Sequence, residues 1–141
     1  MKPTILAALL FDVFAFTSAP VRGTDAAWFS YMPAVSTLTG TITEEAYGED
    51  ASTYDRGKRV WILHLDRPIS VRANPKDELN VQELNVSEVH LNIAHRKHPI
   101  ARKQFGTVRF AATGTLYHQF NSHHLRAIVM LGSDLKPAKT K

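Results

Sequence analysis

The chain has 141 residues, of which 44% are hydrophobic and 21% are charged, a composition typical of one folded domain and not of a disordered segment. Its formal net charge is +4 with histidines neutral, without the concentrated basic patch of a strong nucleic-acid-binding protein. It contains no cysteine, which excludes disulfides, thiol nucleophiles and cysteine-ligated metal sites.

The N-terminus has the three-part pattern of a secretory signal. Lys2 precedes an apolar run over residues 5–16, and small residues follow. The run is too short to span a bilayer core, which needs about 20 apolar residues. Cleavage is expected after Gly23 or Ala26, so we assign residues 1–26 to a signal peptide. The alternative is an amphipathic N-terminal helix of the folded domain.

Residues 27–141 are then a single domain with a short basic C-terminal tail that contains Lys136, Lys139 and Lys141. The domain has no second apolar stretch of transmembrane length, so no stable membrane insertion is expected once the signal is removed. A chain of this kind is predicted to be periplasmic or secreted.

Five segments carry strand patterns, and they begin after an aromatic lead-in over residues 27–34. Within these segments apolar side chains recur at every second position, which is the period of a strand with one buried face. The clearest case places Trp61, Leu63 and Leu65 on one face. In the last segment, Leu125, Ala127, Val129 and Leu131 share a face. The segments are residues 35–48, 59–72, 86–94, 107–119 and 125–135.

The alternation breaks between the third and fourth strands, where Pro99 and Gly106 favour one short helix. Gly40 and Gly114 lie in mid-strand, where glycine marks a bulge or a tight bend. We therefore predict an all-β fold: a five-stranded OB-like Greek-key barrel with one short helix between strands 3 and 4. An ordinary five-stranded meander is the alternative.

Three stretches, "LTGTITEE", "WILHLDRPISV" and "GTVRFAATGTLYHQFNSHHLRAIVML", together with the exported N-terminus resemble a family of small bacterial exported domains of unknown function. The resemblance covers about residues 36–135. It implies an OB-like barrel in the cell envelope and no established activity. Some domains of that family are joined to lysozyme-inhibitor-like segments, so the resemblance also implies an inhibitory or immunity-type role as one option.

OB-folds commonly bind ligands on the outward face of their second and third strands. His64 and Asp66 share that face, and an aspartate that orients a histidine is part of a hydrolase triad. Their spacing is not specific, however, and no G-x-S-x-G elbow is present. We predict a module without cofactor that binds a protein, peptide or oligosaccharide. A small His-dependent or metal-dependent envelope enzyme is the alternative. The candidate ligand-binding residues are Thr39, Thr41, Ile62, His64, Asp66, His90 and Asn92.

Three histidines lie between the last two strands. His118 and His124 can face each other across a hairpin, where opposite Cβ atoms are about 4.5–5.5 Å apart. A zinc site uses three or four protein ligands, and the adjacent His123 and His124 would point to opposite sides of an extended strand. We therefore predict no functional metal site and interpret these residues as a polar hairpin tip, with His118 and His124 as weak metal candidates.

The segment "HRKHPIARK", residues 95–103, is the densest basic stretch. It can attract an acidic partner, or it can form a solvated face. The candidate ligand-binding face contains no phenylalanine or tryptophan on which nucleic-acid bases can stack. The expected partner is therefore an envelope protein, peptide or glycan, and no nucleic acid.

We predict that export removes the first 23 to 26 residues, because Lys2, the apolar run and the small residues form a signal. Mass spectrometry of the protein from a native envelope fraction should show a chain that starts at Thr24 or Ala27. A chain that begins at Met1 in the cytoplasmic fraction would contradict this prediction.

Overall fold

The computed structural model describes residues 26–139, so the predicted signal segment lies outside the described residues apart from Ala26. The structure is 53% strand with almost no helix, which confirms the all-β prediction. The strands are β1 (Ala27–Ser30), β2 (Val35–Ala46), β3 (Arg59–Arg72), β4 (Glu83–Asn92), β5 (Arg109–His118) and β6 (Ile128–Pro137).

Five of the six strands pair in a closed ring. β2 lies antiparallel between β3 and β5, and β5 lies antiparallel to β6. β3 also pairs antiparallel with β4, and a short parallel pairing between β4 and β6 closes the ring. β1 lies outside the ring, where it pairs parallel with the end of β3.

The hydrophobic core fills the inside of the ring, because each strand turns every second side chain inward. The alternation in the sequence predicts this core well for β2 to β5. Trp61 and Leu63 of β3 are buried at 4% and 0% exposure. The other core residues from the ring are Leu38, Ile42, Ile69, Val71, Val89, Leu91, Phe110, Ala112, Leu116, Ile128 and Met130.

Gly40 and Gly114 lie where neighbouring strands approach too closely for a side chain. A Cβ atom at Gly40 would clash with the backbone carbonyl of His64, and one at Gly114 would clash with that of Leu131. The β5–β6 register shifts between Thr113 and Gly114, as expected for a bulge. Gly40 pairs without a break with β5 and is the β2 residue at which pairing with β3 ends. Glycine is thus required at both positions by the backbone of the next strand.

The second half of β3 separates from regular pairing with β4. The register shifts between His64 and Ile69 and again between Ile69 and Val71. Pro68 lies in the first of these gaps, as expected for a residue without an N–H group for the ladder. On β4, Asn85 adopts a left-handed conformation with φ of 54°, which asparagine tolerates better than most residues. Since the pairing of β2 with β3 also stops at Gly40 and Leu65, one end of the ring is less completely paired, and we call it the open end.

The prediction of a short helix between Pro99 and Gly106 is wrong. The structure has one turn of 3-10 helix at Arg102–Gln104, where the Ala101 N–H donates to the Gln104 side chain at 2.7 Å. Ile100 and Phe105 still pack against the core. A segment this short would form too few helical hydrogen bonds to offset the cost of helix nucleation. The contacts of Ile100 and Phe105 with the core therefore determine the conformation of the segment.

Two strand predictions also need correction. Residues 27–30 are a strand, which alternation did not indicate. They pair parallel with the end of β3, where Phe29 packs against the core and Trp28 lies under Arg72. In β6, Ile128 and Met130 face the core, whereas Leu131 is 49% exposed and Val129 lies on the outer side. The apolar face predicted for the last strand therefore lies outside the core, and the residues between its members form the core face.

We predict that Trp61→Ala lowers the free energy of unfolding by about 3–5 kcal/mol, because it removes a buried aromatic side chain from the core. The Trp61 ring stacks on the His95 ring, with centroids 3.8 Å apart, and meets the Phe105 ring edge-on at 5.9 Å. Chemical denaturation is the measurement. The matched control is Trp28→Ala, because Trp28 is 45% exposed. Equal midpoints for the two variants would contradict the assignment.

Candidate functional site

The residues predicted to bind a ligand lie on the outer side of the ring, but in separate environments. Ile62 and His90 face each other on β3 and β4 and are buried, at 0% and 5% exposure. His64 is half-exposed and bonds to other partners than Asp66. Thr39 donates to Asp66 at 2.7 Å, at the open end of the ring. These residues therefore do not converge on one pocket.

The loop between β5 and β6, residues 119–127, covers the centre of this face. Ile62, His90 and Val129 point away from the core cluster and are nevertheless buried. The Leu125 N–H donates to His90 Nδ1 at 3.1 Å. The predicted ligand-binding face is thus occupied in part by the chain's own loop.

Arg126 fastens this loop to two strands. Its Nε donates to Glu88 on β4 at 2.5 Å, and its Nη2 donates to Glu45 on β2 at 2.6 Å. Charge-assisted bonds of this kind are stronger than neutral ones. Because Arg126 is only partly exposed, the two carboxylates compensate its charge, and the loop is held to both β2 and β4.

A second set of contacts joins this loop to the loop between β2 and β3, residues 47–58. His123 Nδ1 contacts the buried carboxylate of Asp55, which also accepts a hydrogen bond from Ser52 at 2.8 Å. The Tyr47 hydroxyl donates to the His123 carbonyl at 2.5 Å. The two long loops therefore contact each other directly.

The three histidines near the hairpin have three different partners. His118 Nε2 lies 2.9 Å from Glu83, and the His124 ring packs edge-on against Phe120 with its Nδ1 buried and unpaired. The prediction that His118 and His124 face each other across the hairpin is wrong, because His118 is opposite Ile128 in the ladder. Among residues 26–139, no three or more His, Cys, Asp or Glu side chains are grouped to hold a metal ion.

His64 belongs to a hydrogen-bonded row with two residues that the sequence analysis did not select. Its Nδ1 lies 3.0 Å from Glu88, and its Nε2 lies 2.7 Å from the Thr43 hydroxyl. A carboxylate only accepts, so Nδ1 donates, and in the neutral ring Nε2 accepts from Thr43. Glu88 is directly opposite His64 in the ladder, which a correct register would have indicated.

Asp66, the predicted partner of His64, instead pairs with Arg109. Arg109 donates through two nitrogens, and this bonding, with that of Thr39, lowers the pKa of the Asp66 carboxyl. Thr41 lies opposite Arg109 on the neighbouring strand and is half-buried. Asp66 is thus held as a carboxylate away from His64.

Asp66 and Arg109 line a cleft of about 1260 Å³ at the open end of the ring, which we call the end cleft. Its walls are the first residues of β1, the bend of β3 and the C-terminal end of β6. The other lining residues are Ala26, Ala27, Phe29, Thr39, Leu65, Arg67, Pro68, Ile69, Asn85, Ala111, Lys136, Pro137, Ala138 and Lys139.

A smaller apolar groove of about 390 Å³ lies on the other side of the hairpin loop. Met32, Leu79, Phe120 and Leu131 contribute to it, and all four are more than 40% exposed. Asn92, the last of the predicted ligand-binding residues, is exposed and donates to the Tyr117 hydroxyl beside this groove at 3.3 Å.

Comparison with family models, curated proteins and solved structures gives no match for this chain. The resemblance to exported OB-like domains therefore stays a hypothesis. In the part of the chain that the structure describes, no helix has the length and apolar character needed to cross a membrane.

We predict that acidification weakens the fold through His90. Burial, together with the nearby His124 and Arg126, lowers the pKa of His90 to about 4. Glu45 opposes this shift and His95 adds to it. Since the unfolded chain has a histidine pKa of about 6.5, it binds a proton first as the pH falls from 6.5 to 4. The free energy of unfolding should decrease over this range by up to about 3 kcal/mol.

The variant His90→Asn isolates this effect, because an asparagine oxygen can accept from the Leu125 N–H and does not titrate in this range. Denaturation midpoints of both proteins should be measured between pH 7 and pH 4. The stability of the wild type should fall more steeply than that of His90→Asn. Parallel curves would show that His90 is not the titrating group.

Proposed function

We propose that this protein is an exported OB-like binding module of the cell envelope, with no cofactor. The pairing order supports an OB-like Greek-key barrel: β2 pairs with both β3 and β5, and β4 runs parallel to β6. In this proposal β1 is an addition on the outside of β3, and the 3-10 turn stands where OB-folds have their helix.

The end cleft is the observation that carries the binding function. Its volume of about 1260 Å³ exceeds the 300–1,000 Å³ of an ordinary small-molecule pocket. A volume of this size can hold part of an extended chain, such as a peptide, a protein segment or an oligosaccharide. The ligand is proposed to lie there, because the hairpin loop already covers the centre of the expected OB face.

Export fits this arrangement. The proposed signal ends at Gly23 or Ala26, and Ala27, which remains after either cut, lines the end cleft. Signal cleavage would then place the new amino terminus at the edge of the binding site. A periplasmic or secreted location agrees with the family resemblance, which also allows an inhibitory or immunity-type role toward another envelope protein.

A blocking substitution tests the binding function. We expect Ala111→Trp to fill the cleft and abolish the binding of any ligand found by NMR titration with panels of ten-residue peptides and oligosaccharides. Thr115→Trp is the matched control, because Thr115 lies on the same face of β5 outside the cleft. Large aromatic residues are well tolerated on strands, so both variants should fold. Equal binding by both variants would overturn the assignment of the cleft.

A small His-dependent enzyme is the second candidate, and the Thr43–His64–Glu88 row favours it. In a hydrolase triad, a histidine accepts a hydrogen bond from a hydroxyl and donates one to a carboxylate that orients it. Thr43, His64 and Glu88 have the same order of donors and acceptors. All three side chains are, however, at least partly exposed, and Glu88 also accepts from Arg126 of the hairpin loop. In the same NMR titration, resonance shifts that centre on His64 instead of the cleft would support this candidate.

A further inference from the structure

The charged groups of the end cleft are mostly of one sign. Its lining contains one carboxylate, that of Asp66, and four cationic side chains. The cations come from three separate parts of the chain: Arg67 from the bend of β3, Arg109 from the start of β5, and Lys136 and Lys139 from the C-terminal end. The fold therefore brings together positive charges that are distant in the sequence.

Ion pairing neutralises only part of this charge. Arg109 is paired with Asp66, and Lys136 with Asp134 at 2.8 Å. Within residues 26–139, neither Arg67 nor Lys139 has a carboxylate within ion-pair distance, and both are exposed. Two cations thus remain available to a ligand.

Apolar side chains lie beside these cations. Phe29 and Leu65 are half-buried, and Pro68 is exposed at the bend. Thr39 and Asn85 add polar groups at the same cleft. A matching ligand would present carboxylates to the cations and apolar groups to Phe29 and Leu65, since complementary charge favours association and apolar burial adds affinity.

We propose that the end cleft binds an acidic peptide segment in which carboxylate side chains alternate with apolar ones. This inference rests on the proposed function and names its ligand. An extended peptide projects successive side chains to opposite sides, so one side can meet Arg67 and Lys139 while the other meets Phe29 and Leu65. An acidic polysaccharide offers the charge without apolar side chains and uses only part of the lining.

The basic segment at residues 95–103 is the rival site for an anion. Arg96 and Lys97 are exposed there, and neither lines the end cleft. They provide a control with the same number and sign of charges. A response at the cleft and not at this segment separates a shaped site from general attraction to a basic protein.

The experiment uses the full chain and three fluorescent ten-residue peptides, which alternate leucine with glutamate, glutamine or lysine. Fluorescence anisotropy gives each dissociation constant at low and high salt. The glutamate peptide should bind best, and added salt should weaken its binding. The double variant Arg67→Glu/Lys139→Glu should weaken it by at least about tenfold. The double variant Arg96→Glu/Lys97→Glu should change it by less than about threefold.

The other outcomes overturn the inference in distinguishable ways. Equal binding of all three peptides, lost in Ala111→Trp, rejects the acidic ligand and retains the binding module. Tighter binding of a polyglucuronate competitor than of the glutamate peptide rejects the peptide. A loss in Arg96→Glu/Lys97→Glu alone moves the site to residues 95–103. Absence of binding by every probe rejects both this inference and the proposed cleft.

Discussion

Closure of the strand ring depends on three residue pairs between β4 and β6: His90 with Val129, Leu91 with Met130, and Asn92 with Leu131. Without this short parallel ladder, the core would lie on an open sheet with one side exposed to water. Parallel pairing is slightly weaker per residue than antiparallel pairing, so closure needs support from side chains. Leu91 and Met130 give it from inside the ring, where both are buried.

On the outer side, the β4–β6 ladder is stabilised by the hairpin loop, and this contact favours a particular protonation state of His90. His90 lies in the β4–β6 ladder, and its Nδ1 accepts a hydrogen bond from the Leu125 N–H. The closed strand ring therefore contains His90 with a neutral imidazole. Arg126 contributes from the same loop by bonding to strands on both sides of β3. The face on which OB-folds commonly bind ligands is thereby used to stabilise the closed ring, and the ligand site that we propose is at the end of the ring.

The sequence predicted those features that depend on one strand at a time. Alternation identified the buried Trp61 and Leu63, and mid-strand glycine identified the close approach at Gly114. It did not predict which residues meet across strands. His64 and Asp66 share a face, yet their partners, Glu88 and Arg109, come from other strands and depend on register. The pairing of β1 and the path of the hairpin loop depend likewise on contacts distant in the sequence.

The contact between the two long loops limits how the chain can vary. Tyr47 and Asp55 hold the backbone and side chain of His123, so the β2–β3 loop forms part of the support for the β5–β6 loop. A change of length in either loop would displace a partner in the other. These loops should therefore be inherited as a pair, and a loop transplanted from another protein would need its counterpart to be transplanted with it.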